Sequence, residues 1–203
     1  MQLLRRVIPR SHSVVLVPVQ MPPGVLPARP HRRLRARIPL HVTILYPFVP
    51  PRDLSGAVVS AIESVLRGRG EFTYELTRVG SFPTARYLVI EPHEPYLDLI
   101  AAFERAWPEY PRYGGQFATT IPHVTIADGR RMDDIDAAVA ARLPVPMVAR
   151  DVEVWRKHAI RGWRLYSRSA LAPVESARRS AGGQGYVTGA GQGSDRRVSS
   201  KAM

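Results

Sequence analysis

Pro39-Leu40-His41-Val42-Thr43-Ile44-Leu45-Tyr46-Pro47-Phe48 carries a tetrapeptide, His-Val-Thr-Ile, that returns as His123-Val124-Thr125-Ile126, 82 residues on (from 41 to 123). Each copy has a proline close before it, Pro39 in the first and Pro122 in the second. Val, Thr and Ile favour strands, and strand side chains alternate between faces. His41 and Thr43 therefore share one face, roughly 6.5–7 Å apart along the strand. Val42 and Ile44 point the other way, into a core. The second copy repeats this: an imidazole beside a hydroxyl on a strand anchored from behind. Buried polar groups need partners, so packing gives no reason for two such pairs.

Outward from the motifs the pattern is mixed. Residues 13–19 (SVVLVPV) read as a buried strand, with Pro18 at an edge or bulge. Residues 20–37 read as a Pro- and Arg-rich loop. The first motif strand spans 41–46 and ends at Pro47. Asp53 suits the N-cap of a helix over 54–67, and strands follow at 72–79 and 87–91 around a turn at 80–85. Pro95 opens a second helix, with Leu97, Ile100, Ala101 and Phe103, to about Trp107. The second motif strand covers 121–127. A third helix opens at Asp133 or Asp134 and runs to Leu143; strands at 145–155 and 163–171 close the pattern. Most connections are short. This predicts an α+β fold of antiparallel sheets, with two comparable lobes and the motif strands lining a cleft between them. The domain is expected over 13–172, between an N-terminal extension (1–12) and a Gly/Ser/Arg-rich tail (173–203) too poor in apolar residues to join a core.

The chain has 203 residues, no cysteine and a formal net charge of +12. Disulfides, cysteine zinc sites and thiol nucleophiles are excluded. No apolar run approaches the ~18 residues of a membrane span, and the first ten residues lack the apolar core of a signal peptide. A cytoplasmic monomer without membrane contact is expected. The charge favours a polyanion such as nucleic acid. It has a compositional reading too, because of 29 basic residues only Lys157 and Lys201 are lysine.

In-line displacement at phosphorus has an attacking and a leaving oxygen on opposite sides. Without a metal, one group takes the nucleophile's proton and another protonates the leaving oxygen. Two histidines on opposed lobes fit, because unperturbed imidazole, with a pKa of ~6.5, serves in either role. Thr43 and Thr125 are placed to donate to the charge developing on phosphate. The rival is a metal site joining both histidines to Asp128. The first motif has no nearby acid, so three to four ligands are not supplied, and no metal or cofactor is expected.

Two H-x-T-apolar motifs about eighty residues apart resemble the 2H phosphoesterase superfamily, in particular its 2′-5′ RNA ligase or RNA 2′,3′-cyclic phosphodiesterase (LigT-like) group. The likeness extends from residues 39–48 to Phe103, Trp107, Pro108, Tyr110, Pro111, Tyr113, Phe117 and 122–127. It implies a bilobal fold, with helices outside two sheets and a central cleft, metal-independent phosphodiester chemistry, and His41, Thr43, His123 and Thr125 as catalytic residues. The substrate implied is RNA or a nucleotide bearing a cyclic phosphate, with a 2′-phosphate product. Family members carry a basic residue right after the second motif. Here Asp128 intervenes, and Arg130 and Arg131 follow, Arg130 being the candidate phosphate contact. Phe48 and Tyr87 are candidates for stacking a base, each with a competing reading as core. Two rival functions are an RNA-binding module without turnover and a phosphodiesterase acting on small cyclic nucleotides.

Overall fold

The repeated tetrapeptides start two neighbouring strands of one sheet. A computed structural model describes residues 12–27, 38–117, 119–128, 136–158 and 160–173. Its strands are β1 (Ser13–Pro18), β2 (His41–Phe48), β3 (Phe72–Phe82), β4 (Ala85–Glu91), β5 (His123–Asp128), β6 (Val145–Ala149), β7 (Asp151–His158) and β8 (Gly162–Ala170). Its helices are α1 (Gly56–Leu66), α2 (Glu94–Ala106) and α3 (Asp136–Ala140), with a tight 3-10 turn at Arg112–Gly115. The sheet order is β6-β3-β4-β5-β2-β1-β7-β8, and its ladders are antiparallel.

The sheet divides into two halves at the motif strands. The β2–β5 seam is registered by a single pair, Val42 opposite Val124, whereas every other ladder has four or more. The expected two lobes are these four-stranded halves, β6-β3-β4-β5 and β2-β1-β7-β8. They are tied again at the far side. Arg150 alone separates β6 from β7, although these strands lie in opposite halves of the order. Beside it, Leu171 N–H donates to Arg150 O (2.7 Å), Glu71 N–H to Ala172 O (2.8 Å) and Ala172 N–H to Arg69 O (2.9 Å). The sheet thus curls round without closing into a barrel.

Alternation explains what anchors the seam. Val42, Ile44, Val124 and Ile126 are buried and share one core with Tyr96, Leu99, Ile100 and Phe103 of α2. Those four positions fall at helical spacing and form the apolar stripe of α2. Fully burying a side chain such as Phe103 contributes about 1.5–3 kcal/mol relative to leaving it exposed. Pro95 sits in the first turn of α2, where a missing N–H costs nothing.

Local expectations shift in four places. The residue capping α1 is Ser55; Asp53 is taken by a turn, its N–H donating to Pro50 O at 2.8 Å. β2 continues through Pro47 to Phe48, and β3 runs on to Phe82, shortening the hairpin turn. The single strand expected over 145–155 is two strands, β6 and β7, with different partners. The expected starts of α3 at Asp133 or Asp134, Arg130 and Arg131 lie outside the described residues. So do the tail beyond Pro173 and the extension before His12. No described helix is long and apolar enough to cross a membrane.

Candidate active site

His41 and His123 are held alike. Nδ1 of His41 lies 2.7 Å from Pro39 O, and Nδ1 of His123 lies 2.7 Å from Ile121 O. A carbonyl only accepts, so Nδ1–H donates in both rings. The neutral imidazole then has its lone pair on Nε2, the atom that could take or give a proton. In each case the acceptor is the carbonyl two residues back, at or beside the proline preceding the strand.

The seam sets the histidines against the threonines. From Val42 opposite Val124, one step each way in an antiparallel register puts His41 beside Thr125 and Thr43 beside His123. Residues directly opposite have Cβ atoms ~4.5–5.5 Å apart, and diagonal neighbours ~7–8 Å. The histidines are the diagonal pair, and all four side chains fall on one face. Burial pushes both imidazoles below their ordinary pKa, against the carbonyl bonds that favour the charged rings. The charge of His123 lowers His41 further.

The two sides of this quartet differ. His123 meets two rings edge-on, Phe82 at 5.0 Å and Tyr87 at 5.2 Å, and those two stack on each other at 4.2 Å. Tyr87 can lie there because Gly80 stands opposite it: a Cβ at Gly80 would come within 2.5 Å of the Tyr87 ring. A cavity of about 700 Å³ opens beside Thr43 and His123, lined among others by Phe82, Ile100, Arg112, Tyr113 and Phe117. Arg112 Nε–H donates to Glu104 (3.0 Å), which fixes its guanidinium.

Away from that cavity, Thr43 pairs with Leu16, Leu16 with Glu153, and Glu153 with Arg168, one row across β2, β1, β7 and β8. Glu153 is only 1% exposed. Its carboxylate accepts from Trp155 Nε1–H and from Arg168 Nε–H, each at 2.7 Å. Both oxygens are thereby satisfied, as a buried carboxylate requires.

Of the sequence candidates, the structure brings His41, Thr43, His123 and Thr125 together and puts Tyr87 against His123. Phe48 is a correction. It is 2% exposed and packs on Trp107 (5.2 Å) and Tyr110 (6.1 Å), so it has no face to offer a base. Sequence reasoning missed Tyr46, Phe82, Arg112 and Tyr113 as neighbours of the site. Tyr46 lies beside Tyr113 at 6.0 Å and beside His12 at 5.1 Å. Tyr113 has φ +50°, uncommon for a residue with a Cβ; the following Gly114-Gly115 pair was the one local signal. Among the described residues no cluster of His, Asp and Glu is grouped to hold a metal ion.

Residues 16–161 match the family model described as the 2′-5′ RNA ligase superfamily. The chain belongs to that superfamily. The match spans both motifs and the strands from β2 to β7, and membership carries a phosphoesterase- or ligase-type activity. Among solved structures, TT0787 of Thermus thermophilus is similar at 15% identity with a TM-score of 0.55, covering 80% of this chain and 99% of that one. E. coli LigT complexed with 3′-AMP aligns at 14% identity with a TM-score of 0.49, over 79% and 98%. No curated protein matches the chain in sequence. The Thermus likeness is one of fold, and it agrees with the open antiparallel α+β architecture.

Proposed function

We propose that this chain is a metal-independent phosphodiesterase that opens a 2′,3′-cyclic phosphate on an RNA end or a nucleotide. The observation that carries the reading is the matched holding of two histidines across one seam. Each has Nδ1 committed to a carbonyl and Nε2 left for proton transfer, and each stands opposite the other motif's threonine. One neutral imidazole takes a proton from water as its oxygen attacks phosphorus. The bond from phosphorus to one ribose oxygen breaks, and the second, protonated imidazole gives its proton to that oxygen. Thr43 and Thr125 donate to the non-bridging oxygens as their charge grows. The family points to a 2′-phosphate and a free 3′-hydroxyl as the product. With an RNA 5′-hydroxyl in place of water as nucleophile and the 3′-oxygen as leaving group, the same ring opening makes a 2′-5′ bond without ATP, and its reversal cleaves that bond. The formal charge of +12 supports a polyanionic substrate.

The test is a panel of cyclic-phosphate RNA ends and mononucleotides incubated with the full chain in EDTA. Turnover to a 2′-phosphate is expected, and it should be undiminished by the chelator. Turnover lost in EDTA and restored by one divalent ion would overturn the two-histidine mechanism. Salt-dependent RNA binding with no product would favour the binding module. Turnover of mononucleotides alone would favour a small-molecule phosphodiesterase.

A further inference from the structure

We propose that the cavity beside His123 is a nucleobase subsite, so that the substrate's base lies on the His123 side of the phosphate. The inference rests on the reading of the chain as a cyclic phosphodiesterase and adds to it which part of the substrate the protein selects, and where.

Position is the first argument. The cavity reaches Thr43 and His123, but His41 and Thr125 do not line it. A ligand whose phosphate sits at the quartet therefore extends to one side. At about 700 Å³ the cavity is within the usual 300–1,000 Å³ of small-molecule sites. The second argument is chemical. Aromatic side chains enter from separate stretches, Phe82 at the end of β3 and Tyr113 and Phe117 from the segment after α2, with Ile100 and Ile121 adding aliphatic wall. Gln116 adds an amide that both donates and accepts. Faces for a flat heterocycle and one edge-reading group are what base recognition uses; an alkyl ligand needs neither. The third argument is exposure. Phe117 is 61% and Ile121 47% exposed, apolar surface left at the rim of a site. Phe117 rests edge-on against Tyr113 (5.5 Å), whose positive φ is a local strain of the kind that gathers at ligand sites.

The experiment uses the full chain and two substrates, adenosine 2′,3′-cyclic phosphate and the base-free 1-O-methylribose 2,3-cyclic phosphate. Stacking one base on one ring is worth about 5- to 150-fold in affinity. Wild type should prefer the nucleotide by about 10-fold or more in kcat/KM, within that stacking range. Phe117→Ala should lose most of that preference through KM, leave the base-free substrate unchanged and keep its melting temperature, since the ring is mostly in water. Phe117→Trp should restore the preference. Equal use of both substrates by wild type, or an equal loss on both in Phe117→Ala, overturns the subsite. If neither substrate turns over, the reaction reading fails, and calorimetry with adenosine 2′-monophosphate and 1-O-methylribose 2-phosphate decides the subsite alone. Tighter binding of the nucleotide upholds it; equal binding overturns it.

Discussion

His41 and His123 each begin a strand, each donate from Nδ1 to the carbonyl two residues back at 2.7 Å, and each precede a threonine by two. Beyond that the two sides of the seam part. His123 is edged by Phe82 and Tyr87 and opens on a cavity. His41 pairs instead with Pro18 of β1, beside a row that runs through Leu16 to the buried Glu153. In the proposed reaction the repeated residues supply the atoms for proton transfer, and the unrepeated flanks supply what lies on either side of the phosphate. Paired proton transfers need the first to be alike; a chosen substrate needs the second to differ.

The likeness is broken most directly at the histidines. Replacing either His41 or His123 with Ala should cost about 10²–10⁴ in rate, the usual worth of one general acid or base. The double variant should be scarcely worse than the weaker single one, because the two act as one unit. The pH profile sharpens this. Burial lowers both pKa values in the free enzyme, and His123 lowers that of His41 further. Because kcat/KM reports the free enzyme, its bell should lie to the acid side of ordinary imidazole, ~6.5. Bound phosphate favours imidazolium, so the limbs of kcat should move up. Each Ala variant should lose one limb: the acidic limb belongs to the base, the alkaline limb to the acid. A profile flat across the range from about pH 5 to 8, where imidazole changes charge, ends the assignment, and so does near-normal turnover in either variant.

The threonines test whether the two sides are equal in the second rank. Each Ala replacement should lower kcat by up to about 10²-fold, the low end for one charge-stabilising donor, while both pH limbs stay. Thr43 lines the cavity and is half-buried; Thr125 is exposed. Water can replace a lost hydroxyl more readily at an exposed position, so Thr43→Ala should lose more. Steady-state kinetics that rank them the other way would place the phosphate nearer His41's neighbour Thr125.

How much of this was legible follows from the range of the forces. The motif strands were readable because alternation is local: counting by twos from Val42 gives Ile44 and also Phe48, so parity already put Phe48 with the core. Tyr46 breaks the count. The register of β1 against β2 shifts near Val15 and Leu45, both Ile44 and Leu45 are buried, and Tyr46 is left toward Tyr113. A bulge of that kind depends on the partner strand. The helix over α2 was readable, but its stripe runs through Tyr96 and Leu99 rather than Leu97 and Ala101, because the core decides the phase. The break at Arg150 was only half readable. The apolar parity shifts across it, from Val145, Met147 and Ala149 to Val152 and Val154, but a bulge within one strand would shift it equally; only distant partners, β3 on one side and β1 and β8 on the other, make two strands of one run. The cavity was invisible for the same reason: its walls meet from β3, α2 and the stretch before β5.

The smallest expected effect probes how the His123 side is built, and it compares two glycines. Gly80→Ala would set a Cβ 2.5 Å from Cζ of Tyr87 and 2.6 Å from Cε2. Real Cβ contacts are essentially never that close, so the ring must swing away. It stacks on Phe82 and edges His123, so that movement should reach the imidazole. Displacement near a reacting group is costly, but Tyr87 is partly exposed and free to tilt; about a 10-fold loss in kcat/KM is expected. Stability should fall by about 1–3 kcal/mol, the usual cost of overpacking. Gly56→Ala is the control. Nothing lies within 4 Å of its added Cβ at the start of α1. It should leave turnover unchanged and raise stability by up to about 1 kcal/mol, since alanine favours the helix. If the Gly80 effect acts through the ring, it should vanish once the ring is gone: Gly80→Ala combined with Tyr87→Leu should be no worse than Tyr87→Leu alone. Full additivity in that cycle would show that Gly80 acts on the backbone of β3, and that Tyr87 touches His123 without positioning it.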